Sequence, residues 1–312
     1  MRNEGALRRA LRVFGILLLF FVSTVIKADD EQLVTSDFDL DRKLGTIESI
    51  LRNTFPMDEA KLTQAYTQAF PEGVASTAIK AKNSSLLLRA ADVVDQMGFY
   101  THQPRFAEEL RQLIVPIQRS GAQHQVWVKR LFGLHVASRN FDLANHLRTQ
   151  FSDVVLPMLP QLESPVLPAE LGTALKPENN GLLLRRVTVD IRHGPWVVAL
   201  VQPHCGFSKE AVAEISSDME LAQSLSGRSW WLMPQEATLN TGLVNDWQRR
   251  YPLFPLHYIF RREEWPQLDT TAVPQFYFFR DGILIEHWPH WPEKDGNQQL
   301  AAVLQKIGIS NE

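Results

Sequence analysis

The hydrophobic pattern of this chain changes period near residue 182, and that change limits the possible folds more than any other feature of its 312 residues. Upstream, apolar residues recur three and four apart, the spacing that gathers them on one face of a helix. Downstream, short apolar runs alternate with turn signals and helical stretches. A chain of this length exceeds what one core usually holds, about 250 residues. An all-helical domain followed by an α/β domain is therefore expected.

In the upstream part, Leu40, Leu44, Ile47 and Leu51 mark a first helix that ends at Phe55-Pro56. Asp58 is placed to cap the next, which carries Leu62, Ala65, Tyr66 and Ala69 and stops at Pro71. Ser84 or Ser85 is expected to cap a third, with Leu87, Leu88, Ala91, Val94 and Met97 on one face and Gly98 at its end. Pro104 to Ile117, Gln125 to Ser138 and Phe141 to Phe151 continue the series as antiparallel hairpins. Ala107 with Leu110-Arg111 and Ala144 with Leu147-Arg148 fall at similar places in successive hairpins. A generic bundle accounts for them, with a repeat array and its partner-binding face as the alternative. Pro157, Pro160, Pro165, Pro168, Pro177 and Asn179-Asn180-Gly181 then crowd one stretch. It reads as a linker over 169–181, between a helical domain of 29–168 and a second domain of 182–312.

The N-terminus reads as an export signal. Arg2, Arg8, Arg9 and Arg12 precede an apolar run from Val13 to Ile26, which stops at Lys27-Ala28-Asp29-Asp30. The run falls short of the ~20 residues of a spanning helix, so 1–28 is read as a signal peptide, with an uncleaved anchor as the alternative. The rest of the chain is then exported, periplasmic or anchored facing the periplasm, and membrane contact is expected only if the segment stays. A formal net charge of −3 gives no expectation of nucleic acid. One cysteine excludes an intramolecular disulfide framework and any cage of several cysteines within one chain. In an oxidising compartment a lone thiol is either buried and inert or kept for chemistry.

The downstream part reads as strands at Leu182 to Ile191 and Trp196 to Val201, then a helix from Lys209 to Leu225. A strand at Ser229 to Met233, a helix at Thr241 to Tyr251 and a strand at Leu256 to Phe260 follow. Phe276 to Phe279 and Ile283 to Trp288 form a hairpin through Asp281-Gly282, and Glu293 to Ile307 closes as a helix. The single cysteine, Cys205, stands where the buried second strand turns into a helix. Unpaired N–H groups and the helix dipole favour an anion at such a start, and the thiolate is the nucleophilic form of cysteine. His204, when protonated, and Lys209 bring positive charge to the same turn. Where a dithiol motif would carry its second cysteine, the chain has Ser208.

These residues resemble the thioredoxin superfamily over roughly the last two-fifths of the chain. The likeness is carried by Cys205-Gly206-Phe207-Ser208 and by Val273-Pro274-Gln275-Phe276 with Arg280-Asp281-Gly282 after them. It implies a cis proline at Pro274 packed beside the sulfur, and a groove at Val273 whose backbone pairs with a substrate strand. Cys-Gly-Phe-Ser is also the signature of monothiol glutaredoxins, in which the cysteine and glutathione hold an iron–sulfur cluster. The match extends to Pro203 and Lys209. Here no Gly-Gly glutathione clamp follows the hairpin, where Ile285-Glu286-His287-Trp288-Pro289 stands instead. No cofactor is therefore expected, glutathione and a cluster being the alternatives. The long stretch from Cys205 to Pro274, with a helix near Asn245 to Trp247, is similar to the TlpA-like and peroxiredoxin-like branches. A peroxiredoxin would set Thr or Ser where Val201 stands, and thioredoxin's buried acid falls here on Ala199.

The expected function is thiol–disulfide chemistry through one cysteine, as mixed-disulfide capture or monothiol exchange, on a protein partner or a disulfide-bearing substrate. The alternative is a non-catalytic interaction module with a helical partner-binding domain. Cys205, Ser208 and Pro274 are the candidate catalytic positions, with His204, Gly206, Phe207 and Lys209 around the thiolate and Val273 in the groove. His287 and His290 flank a proline with no third ligand in view, so surface histidines are read there and no metal is expected. Trp230, Trp231, Trp247 and Trp265 read as core or interface aromatics. Asn83-Ser84-Ser85 fits a glycosylation sequon.

Overall fold

A computed structural model of the chain describes residues 36–53, 58–81, 83–168 and 171–309, and the expected signal segment at 1–28 lies outside them. The protein divides into two compact units between Leu134 and His135. The first holds helices α1 (36–53), α2 (Glu59–Ala69), α3 (Ala75–Ala78), α4 (Ser84–Thr101) and α5 (Pro104–Arg119), and most of α6 (His124–Ala137). Its core is the apolar face expected from the sequence: Leu40, Leu44, Ile47, Leu62, Val94 and Met97 are buried, as are Leu110, Leu113 and Ile117 of α5.

Asp58 caps α2, its carboxylate accepting the Lys61 N–H at 3.0 Å. The α4 cap is Asn83, whose side-chain oxygen accepts the Ser85 N–H at 2.9 Å, so Ser84 and Ser85 lie inside the first turn. Gly98 does not end α4, which runs on to Thr101 and turns at His102 with φ 50°. A Cβ on Gly98 would stand 2.7 Å from Leu134 Cδ2, so the missing side chain lets α6 approach α4 closely. Glu109 of α5 holds the turn after α2. One carboxylate oxygen accepts the Tyr66 hydroxyl at 2.5 Å and the Val74 N–H at 2.9 Å. Burial and the Glu109 charge push the Tyr66 phenol pKa upward.

The second unit opens with α7 (Phe141–Gln150) and contains one eight-stranded sheet. Its strands are β1 (Gln161–Glu163), β2 (Gly172–Glu178), β3 (Leu183–Val189), β4 (Pro195–Leu200), β5 (Ser229–Met233), β6 (Leu256–Ile259), β7 (Gln275–Arg280) and β8 (Ile283–Trp288), in the order β1-β3-β2-β6-β5-β4-β7-β8. Helices α8 (Gly206–Ser217) and α9 (Met219–Leu225) connect β4 to β5, α10 (Thr241–Arg250) connects β5 to β6, and α11 (Gly296–Ile307) closes the unit. β4 runs parallel to β5 and antiparallel to β7, and β7 pairs antiparallel with β8. Strand order β5-β4-β7-β8 with a final helix is the thioredoxin-like arrangement, so a helical domain followed by a thioredoxin-like α/β domain is what the chain forms. At the β7–β8 turn, Asp281 and Gly282 have φ 50° and 78°, the positive pair that a two-residue hairpin needs.

Three further expectations change. The stretch read as a linker, 169–181, contains β2, which lies inside the sheet between β3 and β6. β6 pairs with β2 at Ala174 and Leu175, whereas Pro177 has β3 alone as a neighbour, so a residue without an N–H fits there. The expected boundary after 168 also moves. α7 belongs with the α/β unit, where the buried Arg139 just before it donates from Nε to the Phe260 carbonyl at 2.8 Å and from Nη2 to the Ile259 carbonyl at 2.6 Å. Finally, the helix expected from Lys209 to Leu225 is broken at Asp218, whose carboxylate caps α9 by accepting the Leu221 N–H at 3.1 Å.

Candidate functional site

β4 is buried from Val197 to Leu200 because it has a strand on each side and the sheet is covered on both faces. Its C-terminal end therefore delivers the next residues to a fixed point. The Val201 N–H still donates to the Leu232 carbonyl at 2.9 Å, after which the chain leaves the sheet. A turn closes from Gln202 to Cys205, where the Cys205 N–H donates to the Gln202 carbonyl at 3.0 Å. Cys205 has extended backbone angles (φ −76°, ψ 126°) and is the cap residue of α8, one place before the helix proper. Its carbonyl accepts the first helical bond, from the Lys209 N–H at 3.2 Å. Ala211, Val212 and Ile215 are fully buried and hold α8 in place.

Opposite the sulfur lies the start of β7. The Val273-Pro274 bond is cis, and Cys205 Sγ stands 3.9 Å from the Val273 carbonyl oxygen. Cys205 is partly exposed, Val273 is partly exposed and Pro274 is buried. Cys205 and Val273, 68 residues apart, are thus brought together. The loop before Pro274 is fastened by two residues that the sequence reading did not single out. Gln275, 2% exposed, donates from Nε2 to the Asp269 carbonyl at 2.8 Å and the Ala272 carbonyl at 2.9 Å. The Tyr277 hydroxyl accepts the Asp269 N–H at 2.8 Å and donates to Gln275 Oε1 at 2.8 Å.

Ser208 is buried, and its hydroxyl accepts the Gln202 N–H at 3.2 Å. It fastens the turn that carries Cys205. His204, Gly206, Phe207 and Lys209 are exposed, Phe207 at 71%. Ala199 and Val201 are both fully buried among apolar neighbours. The carboxylate nearest in the bonding network is Glu236, after β5, which accepts from Gln202 Nε2. A polar residue at the end of an apolar strand, as at Gln202 and Gln275, is the one signal by which these supports could have been found.

His287 bonds through Nε2 to Gln275 Oε1 at 2.8 Å and stacks on Tyr277 with ring centroids 4.2 Å apart. His290 is exposed and bonds to the Trp291 carbonyl. Among the described residues no group of three or more His, Cys, Asp or Glu side chains could hold a metal ion. Trp231, Trp247 and Trp265 are buried, while Trp230 is partly exposed and packs against Trp196 and His257.

No protein-family model and no curated protein matches the chain. Among solved structures it is similar to a thioredoxin-like protein from Bacteroides caccae, with 80% of this chain and 87% of that one covered at 10% identity and a TM-score of 0.29.

Proposed function

We propose that the protein is an exported thiol–disulfide protein that works through Cys205 alone. The observation that supports this reading is the placement of a partly exposed sulfur at the start of α8, 3.9 Å from the carbonyl that precedes Pro274. The first N–H groups of α8 and its dipole favour negative charge at that point. In the proposed reaction the Cys205 thiolate attacks one sulfur of a disulfide R–S–S–R′. The Cys205–S–S–R bond forms, the R–S–S–R′ bond breaks, and R′S⁻ leaves to take a proton from water. With serine at 208, release needs a second thiolate from a small thiol or a protein partner. It attacks the mixed disulfide and returns Cys205 as thiolate, so the electrons come from that outside thiol.

The test is the alkylation rate of Cys205 against pH in the folded protein, followed by trapping of disulfide-bonded partners in wild type and Cys205→Ala. Reaction that follows thiolate formation, with partners released by reductant and lost in Cys205→Ala, supports the reading. A thiol that reacts only after unfolding sinks it. A second reading, a non-catalytic module that binds partners beside Val273-Pro274, draws on the exposure of Phe207 next to the cysteine turn. It predicts the same partners with Cys205→Ala.

A further inference from the structure

The side chain of Gln202 ties the turn that carries Cys205 to the segment after β5. This residue is 5% exposed. Its backbone N–H donates to Ser208 Oγ at 3.2 Å and its backbone carbonyl accepts the Cys205 N–H at 3.0 Å, while its side-chain Nε2 donates to Glu236 Oε1. Glu236 is in turn held. The neighbouring Gln235 donates to the Ala137 carbonyl and accepts the Arg262 N–H at 2.8 Å. The buried guanidinium of Arg139, fixed on the Ile259 and Phe260 carbonyls, interacts electrostatically with the Glu236 carboxylate.

A tight turn into a helix can be built from backbone bonds alone. Burying an amide and setting a carboxylate behind it costs desolvation that an apolar residue would avoid. The cost is not fully recovered here, because Gln202 Oε1 is buried without a hydrogen-bond partner among the described residues. Buried, incompletely satisfied polar groups next to a candidate nucleophile point to a task beyond folding.

We propose that Gln202 and Glu236 form a positioning pair for Cys205: Glu236 anchors the Gln202 side-chain amide and so holds the Gln202 backbone, whose carbonyl accepts the Cys205 N–H and whose N–H donates to the Ser208 hydroxyl. The pair rests on the reading of Cys205 as the nucleophile. Its readout is the rate at which the full-length protein attacks the neutral disulfide dithiodipyridine, measured beside hydrogen exchange at the Cys205 amide. Gln202→Ala and Glu236→Ala are expected to slow the attack about tenfold and to speed Cys205 amide exchange at least tenfold. Glu236→Gln keeps an oxygen that accepts from Gln202 Nε2, so it restores the rate to within about twofold of wild type. A merely structural pair would lower the melting temperature and leave the attack rate of the folded fraction unchanged, without rescue.

If Gln202→Ala does not fold, the two Glu236 variants decide, since Glu236 is only half-buried. Wild-type rates and amide exchange in Glu236→Ala overturn the proposal. An equal loss in Glu236→Ala and Glu236→Gln overturns it as well, because the acceptor would then not be the working feature. A wild-type Cys205 that never reacts while folded defeats the nucleophile reading, and the amide-exchange arm still settles whether the pair positions the turn.

Discussion

Each unit contains a glutamate that organises a turn, and the two are built differently. Glu109 in the helical unit accepts two hydrogen bonds on one oxygen, from the Tyr66 hydroxyl and the Val74 N–H, both groups being buried and both answered. A Cβ on Gly73 would stand 2.7 Å from that carboxylate, so the packing around it is tight as well. Glu236 in the α/β unit accepts from one amide, and that amide keeps a buried oxygen without a hydrogen-bond partner among the described residues. The first network closes on itself and secures a fold. The second is left open one step from the sulfur. A buried polar atom left open carries a desolvation cost that the closed network avoids.

Four measurements can break or sharpen this contrast. The largest effect is expected from Glu109→Ala, which takes the acceptor from the buried Tyr66 hydroxyl and leaves the Val74 N–H only its longer bond to that hydroxyl oxygen at 3.2 Å. It should cost about 3–4 kcal/mol in urea unfolding while leaving the Cys205 alkylation rate of folded protein unchanged. A change in that rate would mean that the closed network also serves the site. Next comes acid. His257 is 6% exposed, and burial lowers its pKa to about 4, with the Nδ1–H bond to the Pro255 carbonyl acting the other way. A histidine whose folded pKa lies below the unfolded value of about 6.5 binds fewer protons when folded, so stability falls as pH drops through that window. The α/β unit should lose up to about 3 kcal/mol between pH 6.5 and pH 4, and His257→Leu should flatten the slope. An unchanged slope in that variant would assign the acid sensitivity elsewhere.

Gly98→Ala should cost about 2 kcal/mol, since its Cβ would press on Leu134 at 2.7 Å. A neutral result would show that α4 and α6 can part without loss. The smallest effect is Ser208→Ala, which removes the acceptor of the Gln202 N–H at 3.2 Å. It should cost about 1 kcal/mol in unfolding free energy and speed exchange of the Gln202 amide proton. If Gln202 exchange does not change, Ser208 is not part of the open network.

Much of the fold was legible because the deciding signals are local. The β5 and β8 limits coincide with apolar runs bounded by turn residues, and Asp281-Gly282 sets the hairpin by its own backbone preferences. Asp58 was readable as a cap for the same reason. The α4 cap was misplaced by one or two residues because Asn83, Ser84 and Ser85 can all serve, and only the path of the backbone selects one. β2 was hidden by Pro177 and its proline-rich surroundings, since a proline's effect in a strand depends on which neighbour its missing N–H would have faced. The unit boundary was hidden by Arg139, whose partners lie some 120 residues away. No spacing in the sequence points to backbone carbonyls.

By itself, then, the sequence determined the element types, the change from helical to α/β folding, the solitary sulfur at a strand-to-helix turn and the serine three residues after it. Each of these follows from residues within a few places of one another. Tertiary structure decided what the sulfur faces and what holds it: Val273 across the turn, Ser208 as a buried acceptor, and Glu236 acting through Gln202. Those are contacts between segments that only the order of β5, β4 and β7 brings together, and a one-dimensional pattern carries no record of strand order.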